Sequence, residues 1–245
     1  MSVIITRELS KVYGAKQAVC DLNLAITRGS VFGFLGPNGS GKSTTVKMLL
    51  GLRSPSKGSA QVLGFDSSTE SELIGQHVGY VPELGNLYPQ LTVQESINLV
   101  KGLRPSWDDS YANHLLTIFE LPDRQRVRKL SKGMQRQLAL LLAMAPRPEL
   151  LILDEPSSGL DPIKRQEFLQ VLMDGVAETG QTVFFSSHNM IEGEQGQWIV
   201  TVEKGLDAVL AELRAMQPLV IETYDLSLED IFVIYAGGDA KCAAH

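Results

Sequence analysis

The sequence predicts an α/β chain built on a mostly parallel sheet, and three observations carry that expectation. Short apolar runs that read as buried strands recur at Val31–Leu35, Val78–Val81, Leu150–Leu153 and Thr182–Phe185. Helix-start signals and helical-period patterns fall between them, and strands alternating with helices imply parallel pairing. The first run leads straight into a glycine-rich turn, the place where such sheets present their ligand sites.

In chain order, the Val31–Leu35 strand is followed by a predicted helix from Lys42 to about Leu50, before Gly51. Val78–Val81 is a short strand stopped by Pro82. Thr92-Val-Gln-Glu95 is a capping-box pattern opening a helix to about Leu103. Ser106-Trp-Asp-Asp109 offers a second start, for a helix that ends before Pro122. Ser131 can cap a third, on which Met134, Leu138, Leu141, Leu142 and Ala145 share one face. Residues from about 90 to 145 thus read as a helical subdomain inserted into the α/β core. Leu150–Leu153 returns to strand, Asp161-Pro162 starts another helix with proline at its first position, and Thr182–Phe185 is the next strand.

Bulk properties narrow the classes. The 245 residues are 44% hydrophobic and 20% charged, enough for a folded core. A net charge of −6 weighs against a dedicated nucleic-acid binder, which carries a basic face. Cys20 and Cys242 have no motif spacing, so neither a disulfide framework nor a zinc site is expected, and both read as reduced thiols of a cytoplasmic protein. The first ten residues, MSVIITRELS, lack the apolar core of a signal peptide. No run approaches the ~20 apolar residues that span a bilayer, so any membrane spans must come from another chain.

The decisive segment is Gly36-Pro-Asn-Gly-Ser-Gly-Lys-Ser43-Thr44, which fits G-x-x-x-x-G-K-[ST] with a strand before it and a helix after it. Glycines let the backbone of Gly36, Pro37, Asn38, Gly39, Ser40 and Gly41 curl around a phosphate with its N–H groups turned inward. The helix that follows offers its positive N-terminus to the same anion. Lys42 can reach the β- and γ-phosphates of a nucleotide, and the Ser43 hydroxyl can hold Mg²⁺. Two acids, Asp154 and Glu155, end the apolar strand Leu150–Leu153. Asp154 suits an Mg²⁺ partner, and Glu155 a base that orients or deprotonates the attacking water. His188 follows the Thr182–Ser187 run at another strand end and can donate to a γ-phosphate. His77, His114 and His245 read as ordinary surface or core residues.

One more segment narrows the family. Leu130-Ser131-Lys132-Gly133-Met134-Gln135-Arg136-Gln137 resembles the signature of the ATP-binding cassette (ABC) ATPases, usually Leu-Ser-Gly-Gly-Gln. Ser157-Ser-Gly-Leu-Asp161 resembles the family's D-loop, and Tyr13 in Leu9-Ser-Lys-Val-Tyr-Gly14 matches the aromatic that stacks on adenine. The resemblance covers roughly residues 2 to 195. It implies a P-loop NTPase core with an N-terminal antiparallel β part, ATP as substrate with Mg²⁺, and a head-to-tail dimer. In that dimer Ser131, Gly133 and Asp161 of one copy would close on the phosphate loop of the other, including Thr44. It also implies a cytoplasmic chain lying on the membrane beneath a separate permease. The ATPase domain is expected over residues 1–203, with a short extension at 204–245.

Three departures from the usual pattern are instructive. Lys132 and Met134 stand for Gly and Gln in the signature, a form that resembles exporter-type subunits. Glu83, in Gly79-Tyr-Val-Pro-Glu83, stands where most members have the Q-loop glutamine, and its carboxylate can still approach Mg²⁺. Tyr88–Val93 and Pro105–Asp108 add to the exporter likeness. Third, Trp198–Val202 follows His188 too closely, so a piece of the usual C-terminal core is expected to be missing, although Ser227–Phe232 resembles the exporter-type tail. The rival readings are a soluble ABC ATPase of DNA repair or translation and a hydrolysis-impaired regulator. The first lacks its usual coiled coils, zinc-spaced cysteines and second cassette; the second is opposed by Lys42, Asp154, Glu155 and His188. The basic run Arg124, Arg126, Arg128, Lys129 reads as a solvated loop, and Trp107 and Trp198 as packing residues.

Overall fold

Two long strands, β1 (Ser2–Tyr13) and β2 (Lys16–Thr27), open the chain as an antiparallel hairpin. β3 (Val31–Leu35) and helix α1 (Lys42–Leu49) flank the glycine-rich turn. Then come β4 (Lys57–Val62), β5 (Phe65–Asp66), α2 (Ser71–His77) and β6 (Val78–Val81). The helical stretch holds α3 (Val93–Leu103), α4 (Asp109–Ile118), one 3₁₀ turn (Val127–Lys129) and α5 (Lys132–Met144). β7 (Leu150–Asp154) and β8 (Thr182–Ser187) return to the sheet. The computed structural model describes residues 1–35, 39–83, 87–156, 170–172, 175, 179–187, 192–193 and 197–198. The chain divides into two compact units, Met1–His188 and Asn189–His245. In the second, the described part is an antiparallel pair, β9 (Glu192–Gly193) with β10 (Gln197–Trp198). The start of the helix expected after Asp161 and the boundary expected at 203 lie outside the described residues; the described residues 170–172, 175 and 179 are helical.

Two sheets result. β2-β1-β4-β5 is antiparallel, as the resemblance implied, and β3-β8-β7-β6 is parallel. In the parallel sheet Leu35 pairs with Ser187, Asp154 with Ser186, and Val81 with Leu153, so the carboxyl ends of all four strands finish within two residues of one another on one edge. That edge positions everything below. The core is built on β7, whose apolar residues Leu150, Leu151, Ile152 and Leu153 are all 0% exposed, as expected of a parallel strand covered on both faces. No described helix is long and apolar enough to cross a membrane.

The helical stretch obeys its local signals, with two corrections. Thr92 caps α3 through a full capping box: it accepts from the Glu95 amide while the Glu95 carboxylate accepts from the Thr92 amide. Ser131 caps α5 by accepting from the Met134 amide. At α4 the cap is Asp108 and not Ser106. Asp108 accepts from the Tyr111 amide at 2.9 Å, whereas the Ser106 hydroxyl is spent on the Pro146 carbonyl. The second correction concerns α5. Of its expected face Leu138, Leu141, Leu142 and Ala145 are buried and Met134 half-buried, but Gln137, Ala139, Leu140, Ala143 and Met144 are buried too, because the helix is packed by β6 on one side and by α3 and α4 on others. Gly79 allows the close approach, since a Cβ there would lie 2.6 Å from the Ala143 carbonyl. Arg104, at the end of α3, donates to the carbonyls of Gly75, Gln76 and Val78, which satisfies the last turn of α2 and ties the helical stretch to β6.

Asp108 yields a first prediction. Its carboxyl is held below the ordinary value, first by the Tyr111 amide and then by Arg147, whose Nε lies 3.1 Å away. A depressed carboxylate stabilises above its unfolded pKa of about 3.9 and loses that contribution as pH falls through the folded value. Because Asp108 is the N-cap of α4, Asp108→Ala should cost about 0.5–2 kcal/mol at neutral pH. Urea denaturation should show the gap between the two proteins narrowing below about pH 4. A gap that stayed constant down to acid pH would mean the charge plays no part.

Candidate active site

The site begins where the glycine-rich turn enters α1. Gly41 sits at φ 96° as the N-cap, and a Cβ there would lie 2.2 Å from the Ala18 carbonyl of β2. The left-handed backbone and this contact both demand glycine, and together they press the turn against the β1–β2 hairpin. No side chain caps α1 and no acid lies in its first turn. Its positive end is therefore set to receive an anion. Gly39 and Ser40 are exposed in the turn, and Thr44 is half-buried in the first turn of α1.

These strand ends bring four predicted residues together. The Lys42 ammonium lies 3.4 Å from Glu155 Oε1, and both side chains are buried, 6% and 7% exposed. The Ser43 hydroxyl donates to Asp154 Oδ1 at 3.2 Å. The same oxygen accepts from Ser186 Oγ at 2.7 Å, while Ser186 Oγ accepts from the Glu155 amide at 3.0 Å. Glu155 itself adopts φ 52°, the left-handed region, which turns its side chain off the strand direction and toward Lys42. Glu83 follows β6, and its carbonyl accepts from Arg136 Nη2 at 2.6 Å, while Arg136 Nη1 donates to the Glu155 carbonyl.

Charge is concentrated here. Burial lowers the Arg136 guanidinium from its ordinary value, and Glu83, Glu155 and Asp154 oppose the shift. Burial, with Asp154 and Glu83 beside it, pushes the Tyr80 hydroxyl up to about 12, so it stays protonated throughout the working range. The cluster thus sets three carboxylates against two cations, Lys42 and Arg136. Chemically, such an arrangement can hold a phosphate chain by Lys42 and the α1 terminus and present a carboxylate to a water beside it.

Ser186 and Arg136 are the residues that sequence reasoning missed. Ser186 was part of a strand-end run, and only the parallel register Asp154↔Ser186 gives it a role. Arg136 lay inside the quoted signature stretch, one turn beyond Ser131, with nothing in its spacing to mark it. Among the predicted residues, Ser131 is exposed and Gly133 half-buried at the N-terminus of α5. Tyr13 ends β1 and is 45% exposed, with the Lys11 ammonium 5.2 Å from its ring centroid. Gly36, Pro37, Asn38, Asp161 and His188 lie outside the described residues. Arg124, Arg126, Arg128 and Lys129 are exposed on the turn before α5, as a solvated loop would be. Among the described residues, no group of three or more His, Cys, Asp or Glu side chains is arranged to hold a metal. The oxygen pair Ser43 and Asp154 is of the hard-donor type that suits Mg²⁺.

Comparison with known proteins places the chain in a family. A family model described as ABC transporter matches residues 19–158, more than half of the chain. The ABC transporter ATP-binding protein YtrB of Bacillus subtilis is 33% identical over 193 residues, covering 79% of this chain and 66% of that protein. The Nod factor export ATP-binding protein I of Rhizobium etli is 36% identical over 200 residues, covering 80% and 63%. The chain thus spans just under two thirds of the length of these relatives. Among solved structures, the dimeric structure of MJ0796, a bacterial ABC transporter cassette, is 26% identical with a TM-score of 0.68, over 76% of this chain and 88% of that one. A second structure of MJ0796, in a post-hydrolysis state bound to ADP and Pi, is 25% identical with the same TM-score and coverage. With its phosphate-loop lysine and strand-end carboxylates gathered on one sheet edge inside the matched region, the chain belongs to the ABC transporter family.

Proposed function

We propose that this chain binds ATP and hydrolyses it, as the ATP-binding subunit of an ABC exporter whose membrane spans belong to a separate permease. The observation that carries the reading is the buried Lys42–Glu155 pair beside the Ser43–Asp154 contact, at the carboxyl ends of β3, β7 and β8. The names of the relatives, which include ATP binding and export, support the same reading.

In the proposed reaction the phosphates dock on the turn from Gly36 to Gly41 and on the N-terminus of α1, where Lys42, Ser43 and Thr44 lie. Lys42 then has a stronger partner than Glu155 and moves to the β- and γ-phosphates. That movement frees the Glu155 carboxylate to accept a proton from water as the water oxygen bonds to the γ-phosphorus. The bond from that phosphorus to the bridging oxygen breaks, and ADP leaves with the bonding electrons. Mg²⁺ would be held by Ser43 and Asp154, with Glu83 nearby, and would offset the negative charge that a triphosphate adds to three carboxylates. His188 supports the γ-phosphate and Tyr13 stacks on adenine.

The exposed N-terminus of α5 is the second half of a composite site. Ser131 and Gly133, with Asp161, would close over the nucleotide of a second copy in a head-to-tail homodimer; the MJ0796 cassette, a similar structure, is dimeric. The segment after Glu83 meets the permease, which places the chain on the cytoplasmic face of the membrane. Residues 1–203 form the ATPase domain, with its helical part at about 90–145, and residues 204–245 form an extension. No nucleic acid is involved.

The test is phosphate release by the full chain at saturating ATP, with Mg²⁺ and again with excess EDTA. Release with Mg²⁺ that stops with EDTA supports the reading. Release that EDTA leaves unchanged, or no release from a chain that demonstrably binds ATP, contradicts it.

A further inference from the structure

Glu155 is held in a conformation that its own residue type disfavours. A non-glycine residue at φ 52° is strained and persists only where its surroundings over-determine it. Three contacts do so. Lys42 pairs with its carboxylate, Ser186 Oγ accepts from its amide, and Arg136 donates to its carbonyl. The first two come from the phosphate turn and from the neighbouring strand, which belong to the same sheet edge. The third comes from α5, the helix that carries Ser131 and Gly133 at its start.

Arg136 makes a second contact of the same kind. Its other terminal nitrogen donates to the Glu83 carbonyl at 2.6 Å. Glu83 and Glu155 follow adjacent parallel strands, β6 and β7, whose ends pair as Val81 with Leu153. One planar guanidinium thus spans the exits of both strands. The fork is rigid, so the separation of its two donors fixes the separation of the two carbonyls. A lysine ammonium, a single nitrogen on a flexible stem, can donate to both carbonyls but does not set their separation. The guanidinium is also half-buried among the carboxylates of Glu83, Glu155 and Asp154, which keeps it in place electrostatically.

We propose that Arg136 is a positioning residue that clamps the backbone of Glu155 and of Glu83 to the signature helix α5, so that the base is aligned only when α5 is correctly seated. The inference rests on the hydrolase reading above and deepens it. When the start of α5 closes on a nucleotide held by a second copy, the movement of the helix reaches the base and the permease-facing loop through the same side chain. Hydrolysis and loop position are thereby coupled to dimer closure through one residue that touches no substrate.

The test uses the full chain with Arg136→Lys and Arg136→Gln. Steady-state ATP hydrolysis is measured for each, together with amide hydrogen exchange in peptides covering 79–83 and 150–156. Both variants should lose roughly 10- to 100-fold in kcat, the scale of a small misplacement of a catalytic group, with KM for ATP little changed. Both peptides should exchange faster together. Arg136→Lys keeps the charge and most of the packing, so it carries the test if Arg136→Gln fails to fold. A normal kcat in Arg136→Lys, or faster exchange in one peptide without the other, overturns the clamp. Wild-type protein that hydrolyses no ATP sinks the hydrolase reading instead. In that case the exchange arm alone decides whether Arg136 couples the two segments.

Discussion

Glu155→Gln should slow ATP hydrolysis by roughly 10²- to 10⁴-fold, the usual contribution of a positioned general base, while ATP still binds. The amide has nearly the shape of the carboxylate. It leaves the backbone contacts of residue 155 with Ser186 and Arg136 untouched, because those use the amide and the carbonyl. What it loses is the capacity to take a proton from water. It also removes the negative partner of Lys42, which lies 3.4 Å away and is buried. Without nucleotide, the variant holds that cation with one counter-charge fewer, so its melting temperature should fall. With ATP the phosphates restore the counter-charge, so ATP should raise the melting temperature of the variant more than that of the wild type. Phosphate release and thermal melts with and without ATP measure both effects. A variant that hydrolyses ATP at the wild-type rate removes Glu155 from the mechanism.

Lys42→Met is the second large effect. Methionine approximates the length of lysine without its charge. Charge-assisted hydrogen bonds contribute about 1.5–3 kcal/mol, so ATP affinity should fall roughly 10- to 150-fold. Folding stability should fall as well, because breaking a buried pair from one side costs about 3–5 kcal/mol. The two losses can be separated. In Lys42→Met with Glu155→Gln, the buried carboxylate is gone too, so much of the lost stability should return while ATP affinity stays low. Urea denaturation and nucleotide titration of the single and double variants test this. Additive stability losses would show that the pair contributes nothing to the resting fold.

Much of this was legible because it was local. Val78–Val81 has the same bounds as β6, stopped by Pro82, and Thr92 and Ser131 cap the helices that their spacing announced. The phosphate-turn motif pointed to Lys42 and Ser43 and the strand-end acids to Asp154 and Glu155, each a short pattern with a fixed geometry, and the structure brings these four together. What was missed was tertiary. Asp108 outcompetes Ser106 as the α4 cap because Arg147 adds a charge contact to it and the Pro146 carbonyl claims the serine. α5 reads as one-sided in a helical projection, yet neighbours on several sides bury it all round. Ser186 acquires its role only from strand register, and Arg136 only from the closeness of two strand exits far apart in sequence. The left-handed backbone of Glu155 has no signal at all in its residue type.

The central claim is that this site is one half of a composite ATP site, completed by the start of α5 from a second copy. The most direct test is the solution mass of Glu155→Gln, measured by light scattering after size exclusion, without ATP and at saturating ATP. The variant should be a monomer without ATP and a stable dimer with it. A mass that stays monomeric with the nucleotide bound would contradict that claim.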